Sequence, residues 1–104
     1  MFIICKRFSL RKNGYITLFF KDKKYRTDDS SSWWTIDLNK AFLFKYENST
    51  YKYLYKFRVN RYSKKNNKFL LDEETVKFKN QENQENLEKI KGSKFYNKIL
   101  TIYS

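Results

Sequence analysis

Apolar and polar residues alternate in short runs along much of the chain, the period-two pattern of strands resting on a core. The first run ends at Asn13-Gly14, a dipeptide that tolerates positive φ at both central positions of a two-residue turn. It predicts a hairpin between strands near 2–11 and 16–24, with Leu10 opposite Thr17, Phe8 opposite Phe19 and Lys6 opposite Lys21. The last is a like-charge pair, tolerable when water screens it or a polyanion lies across it. On the second strand Ile16, Leu18 and Phe20 share one face and Tyr15 and Phe19 the other. Two apolar faces mark a central strand or one covered by a partner.

Asp28-Asp29-Ser30-Ser31-Ser32 reads as a loop, and alternation resumes over Trp33–Leu38 and Ala41–Tyr46 as two further strands. Glu47-Asn48-Ser49-Thr50 is a turn into the most regular alternation of the chain, Tyr51–Tyr62. There Tyr51, Tyr53, Tyr55, Phe57 and Val59 fall on one face and Lys52, Lys56 and Arg58 on the other, with Leu54 the exception. After a Lys64–Lys68 loop, Phe69–Leu71 and Val76–Phe78 flank the polar corner Asp72–Thr75 as a short hairpin. Asn80-Gln81-Glu82 repeats as Asn83-Gln84-Glu85, a low-complexity patch expected to lie in solvent. Leu87 and Ile90, three apart and followed by Gly92, predict a helix over about 83–91. Residues 95–103 read as a last strand, with a helix capped by Ser93 as the alternative. The expected fold is mainly β, or a small α+β variant of it. It is one domain, with a single antiparallel sheet or small barrel of about six to seven strands and one short C-terminal helix.

Composition narrows the chemistry. The 104 residues are 40% hydrophobic and 20% aromatic, enough for one folded domain whose core is built from rings. With one cysteine, Cys5, and no histidine, an internal disulfide, a Cys/His zinc site and any histidine-dependent triad or dyad are excluded. Gly14 and Gly92 are too isolated for a phosphate-binding glycine loop. Asp37-Leu38-Asn39-Lys40 departs from the carboxylate–lysine spacing of metal-dependent nucleases. No catalytic residue, metal or cofactor is therefore expected. The longest uncharged stretch, 13–20, falls far short of the roughly 20 apolar residues of a membrane-spanning helix. The N-terminus has its charges after its apolar run, unlike a secretory signal, so a reducing interior compartment is expected.

The net charge of +12 needs weighing against codon usage, because lysine outnumbers arginine 18 to 5 as an AT-rich genome alone would produce. Placement is the stronger sign. Residues 1–27 and 51–69 carry +7 each, while 28–50 and 70–93 carry −2 each. Natural surfaces usually intersperse signs, so the two blocks point to phosphate. Lys52, Lys56, Arg58, Arg61, Lys64 and Lys65, joined by Lys6, Lys21, Lys23, Lys24 and Arg26 if the two blocks lie side by side, form the expected nucleic-acid-binding field. Shape and backbone recognition of structured RNA fits such a field, as in a structural component of a ribonucleoprotein. Trp33 and Trp34 are the expected protein-contact residues, since neighbours on a strand point to opposite faces and only one can enter the core from there. The alternative function, from a different class, is a protein-binding inhibitor or assembly subunit that docks its positive field on an acidic surface, with tryptophans and tyrosines as anchors.

Overall fold

A computed structural model describes residues 1–21, 33–56, 62–63 and 68–104. The strands are β1 (Phe2–Ser9), β2 (Tyr15–Phe20), β3 (Trp34–Thr35), β4 (Tyr62–Ser63) and β5 (Lys68–Asp72), and the helices α1 (Tyr51–Lys56), α2 (Glu73–Lys89) and α3 (Lys94–Ile102). Among the described residues the strands form one antiparallel sheet in the order β3-β2-β1-β5-β4. The architecture is α+β. The expected mainly β fold of six to seven strands and one helix is overturned, because three stretches with strand-like patterns are helical.

The N-terminal hairpin forms, but in another register. Ser9 pairs with Tyr15, Phe8 with Ile16, Lys6 with Leu18 and Cys5 with Phe19. Asn13-Gly14 does not make a two-residue turn. Instead Leu10–Gly14 closes a wider loop through a 3-10 helix at Arg11–Asn13, with Leu10 N–H donating to the Gly14 carbonyl at 2.8 Å. Gly14 sits at φ +84°, where a side chain would be strained. The wider loop lets Leu10, 2% exposed, reach the core cluster that contains Ile16, Leu18 and Phe20. The expected Lys6–Lys21 pair is thereby removed, and Lys6 instead stands opposite Lys68 on its other side.

Both faces of β2 are covered, as its two-sided apolarity implied: residues 16–20 are all buried. On one face Ile4, Ile16, Leu18, Phe20, Trp34 and Leu70 pack with Phe44, Leu54, Ile99 and Tyr103. On the other, Ile3, Cys5 and Phe19 lie beneath Val76 of α2, with Phe69 and Leu71 alongside.

The corner Asp72–Thr75, expected to reverse a hairpin, is a helix start. The Asp72 carboxylate accepts the Thr75 N–H at 2.8 Å, and Glu73 and Glu74 occupy the first turn, where the helix dipole favours negative charge. The helix therefore begins ten residues earlier than its Leu87/Ile90 signal suggested. It starts over the Val76 face, passes the outer edge of β2, and ends with Leu87 and Ile90 against the opposite cluster. At the edge, Asn83 Oδ1 accepts the Thr17 N–H at 2.6 Å and Asn83 Nδ2 donates to the Thr17 carbonyl at 2.7 Å. Asn86 Nδ2 donates to the Tyr15 carbonyl at 2.8 Å. The Asn-Gln-Glu repeat is thus not wholly solvated: Asn83 is 2% exposed.

The C-terminal segment takes the helical alternative. Ser93 Oγ accepts the Tyr96 N–H at 3.1 Å and donates to the Ile90 carbonyl at 2.7 Å. Phe95, Ile99 and Tyr103 then recur every four residues and all meet one core cluster, a stripe that a strand would split between two faces.

Residues 33–56 hold most of the remaining differences. Of the expected strand Trp33–Leu38 only Trp34–Thr35 is extended in the sheet, and Leu38–Lys40 is a 3-10 helix behind an Asp37 cap. Ala41–Tyr46 is no strand either: Phe44 makes one isolated bridge to Phe2, and Phe42 N–H donates to the Phe20 carbonyl at 2.8 Å. Glu47–Thr50 is a 3-10 helix that runs directly into α1, so the expected strand Tyr51–Tyr62 is helical over Tyr51–Lys56. Its residues 57–61 lie outside the described residues. Leu54, the one break in the alternation, is 3% exposed, and with Thr50 and the half-buried Tyr53 it forms the inward face. A six-residue helix has little stability alone, so tertiary packing decides this conformation.

Candidate functional site

Of the eleven expected phosphate ligands, Lys23, Lys24, Arg26, Arg58, Arg61, Lys64 and Lys65 lie outside the described residues, as do Asp28 and Asp29. Lys52 is exposed on α1, and Lys56 ends that helix. Lys6 is half-buried with its ammonium 4.7 Å from the centroid of the Trp34 ring. Lys21 is half-buried and donates to the Ser104 carbonyl at 3.5 Å. The juxtaposition of the two basic blocks takes a different form from the one expected: β5 and β4, not an extended Tyr51–Tyr62 strand, follow β1 in the sheet.

The tryptophans do not divide between core and solvent. Trp34 is 2% exposed in the core, and Trp33, just before β3, is half-buried against the same cluster. Strand alternation does not reach Trp33, because the paired segment is only two residues long. Trp34 therefore presents almost no surface to a partner. Burial also pushes the Cys5 thiol far above its ordinary range, which leaves it protonated and unreactive.

Besides Met1, Phe78 and Ile102, the exposed large apolar residues among the described ones fall in one short segment. Phe42 is 38% exposed, Leu43 53%, Tyr46 62% and Tyr51 43%, all within ten residues of chain. Phe42 and Leu43 line an open groove of about 490 Å³ whose walls also include Phe44, Tyr53, Lys45 and Lys52, with Asn48 and Ser49 at the 3-10 helix. The rings form a connected set. Phe42 and Phe44 have centroids 4.7 Å apart, Phe44 and Tyr53 5.4 Å, and Phe20 lies 5.1 Å from Tyr53. Lys45 Nζ stands 5.5 Å from the Tyr46 centroid and Lys52 Nζ 5.9 Å from that of Tyr53, within the range of cation–π attraction. Among the described residues that line the groove there is no carboxylate.

Two local features hold these rings in place. Backbone bonds from Phe42 to Phe20 and between Phe44 and Phe2 tie the segment to the end of the sheet. Leu54 and Thr50 anchor α1, which supplies Lys52 and Tyr53. Sequence reasoning missed the groove because it assigned Phe42, Phe44 and Tyr46 to one face of a paired strand. The usable signal was Leu54, whose place in the alternation fits a helix and not a strand.

Acidic groups are concentrated on another part of the molecule. Six of the eleven carboxylates fall between Asp72 and Glu88, on α2 and its cap. The first half of α2 covers the Cys5 and Phe19 face, whereas the groove lies beside Phe20 on the opposite face. Among the described residues no cluster of three or more His, Cys, Asp or Glu side chains is placed to hold a metal ion. No described helix is long and apolar enough to cross a membrane. The chain matches no known protein family, no curated protein and no solved structure.

Proposed function

We propose that the protein is a non-enzymatic RNA-binding protein that holds phosphate on its basic surface, as a structural component of a ribonucleoprotein would. The observation that carries this reading is the groove at residues 42–53, where the exposed Phe42 and the half-buried Tyr53 stand with Lys45 and Lys52, and no carboxylate is among the described residues that line it. Cations neutralise phosphate and rings offer stacking surfaces, the combination on which RNA recognition depends. The segregation of carboxylates onto α2 supports it, since a strand of phosphates meets less repulsion away from that helix. Docking to a protein through the tryptophans is the weaker reading, because Trp34 is buried.

The test is titration of a labelled RNA hairpin with the full chain at several salt concentrations. Affinity is expected to fall steeply as salt rises, each phosphate contact contributing roughly 0.7–0.9 to the log–log slope. Replacing Lys52, Lys56, Arg58 and Arg61 together by Glu is expected to abolish binding while the circular dichroism spectrum stays unchanged. Binding that ignores both salt and these charge reversals removes the reading.

A further inference from the structure

We infer that the groove between Phe42 and Tyr53 takes an unstacked base of a single-stranded nucleic acid, with Lys45 and Lys52 on the phosphates that flank it. The inference rests on the RNA-binding reading and narrows its ligand from RNA in general to single-stranded segments.

The size of the groove is suitable. About 490 Å³ lies within the roughly 300–1,000 Å³ of sites that enclose small ligands, room for one base with its ribose. Its chemistry suits a base better than an aliphatic ligand. Phe42 and Tyr53 present rings whose centroids are 6.5 Å apart at an angle of 44°, and base–aromatic stacking is tolerant of which base is present. Asn48 and Ser49 add uncharged donors and acceptors, which can meet the edge of a base without selecting for charge. Lys52 already stands beside the Tyr53 ring and Lys45 lines the same groove, so stacking and phosphate contact are available within one nucleotide step.

A duplex cannot use such a groove. Its bases are stacked inside, and the A-form major groove is too deep and narrow for side chains to read. The rings do not need to be exposed for the fold. Phe20 and Phe44, at 1% and 3% exposure, already fill the cluster beneath them, while Phe42 and Leu43 stay outside it.

Fluorescence anisotropy with the full chain separates the possibilities, using three probes at near-physiological salt: a strand of ten uridines, an abasic strand with the same number of phosphates, and a duplex of the same length. The uridine strand is expected to bind roughly ten-fold more tightly than the abasic strand. Phe42→Ala should remove that difference and leave affinity for the abasic strand as it was. Phe42→Leu, which keeps an apolar side chain of similar bulk but no flat ring, is expected to do the same, and covers the case in which Phe42→Ala fails to fold. Equal affinity for the uridine and abasic strands, or preference for the duplex, overturns the inference while leaving the polyanion reading in place. Failure of all three probes to bind overturns both.

Discussion

At the outer edge of β2, buried asparagines meet the backbone; at the 42–53 groove, aromatic rings meet solvent. β3 reaches only Phe19 and Phe20, so the outward main-chain groups of Thr17 and the carbonyl of Tyr15 fall to Asn83 and Asn86. An unpaired strand edge is both costly when buried and a template for another chain. A side-chain amide carries one donor group and one acceptor, so Asn83 can serve both the N–H and the carbonyl of a single residue. At the groove the backbone of Phe42 and Phe44 is already bonded to the sheet, and the rings have no hydrogen-bonding need to meet. Polarity therefore does not decide which residues are inside. The unmet backbone groups of the neighbouring element do.

Breaking the asparagine edge gives the largest expected effect. Asn83→Leu leaves a buried N–H and a buried carbonyl of Thr17 without partners, which at about 1–3 kcal/mol for each group should cost about 4 kcal/mol in urea unfolding. Gln84→Ala, at the next and exposed position of the same repeat, should change stability by less than about 0.5 kcal/mol. Similar losses at the two positions would mean that the repeat is a solvated helix face.

The groove side responds to packing and not to polar satisfaction. Leu54→Ala should cost about 3 kcal/mol through the cavity it leaves, while Tyr51→Ala should stay within about 0.5 kcal/mol. The reverse ranking, measured by thermal or urea unfolding, is what a strand burying Tyr51, Tyr53 and Tyr55 would give, and it would remove the helical account of this segment.

The smallest expected effect is at the start of α2. The Thr75 N–H holds the Asp72 carboxyl below its ordinary value of 3.8. Its charged form is thus favoured in the fold, so its contribution is present above that value and is lost as pH falls through the lower, folded one. Asp72→Asn keeps a capping side chain without the titration. Circular dichroism unfolding of both forms across the acid range should show the difference between them shrinking below pH 3.8; a constant difference would rule out this contribution.

The β1–β2 hairpin shows how far local pattern extends. Its two strands and the two-sided burial of β2 were legible from alternation, since side-chain period is a local property. Its register was not, because Leu10 could enter either a turn-flanking pair or the core, and only contact with Ile16 and the cluster around it favoured the wider loop. In α2 the polar run Asp72–Thr75 fits a hairpin corner as well as a helix start, and Val76-Lys77-Phe78 also fits a strand. Phe78, 64% exposed, shows that the apparent alternation had only one buried member. The α1 segment was the most misleading, as Tyr and Lys alternate at five of its six positions while the buried side is formed by Leu54 and the half-buried Tyr53, together with the preceding Thr50. The expected cation field was legible as composition and block charge only. Seven of its eleven residues lie outside the described residues, and Lys6 beside Trp34 has its setting from the tertiary fold.

By itself the sequence determined the charge, its division into blocks, the absence of histidine and disulfide chemistry, the two apolar faces of β2 and the serine able to cap α3. These follow from residue identity and from spacing over a few positions. Tertiary structure decided the hairpin register, the helical state of Tyr51–Lys56 and of the first part of α2, the burial of Asn83 and the exposure of Phe42. Each depends on which surface or backbone group lies opposite, and burial and hydrogen bonding across the fold outweigh the small local preferences between strand and helix.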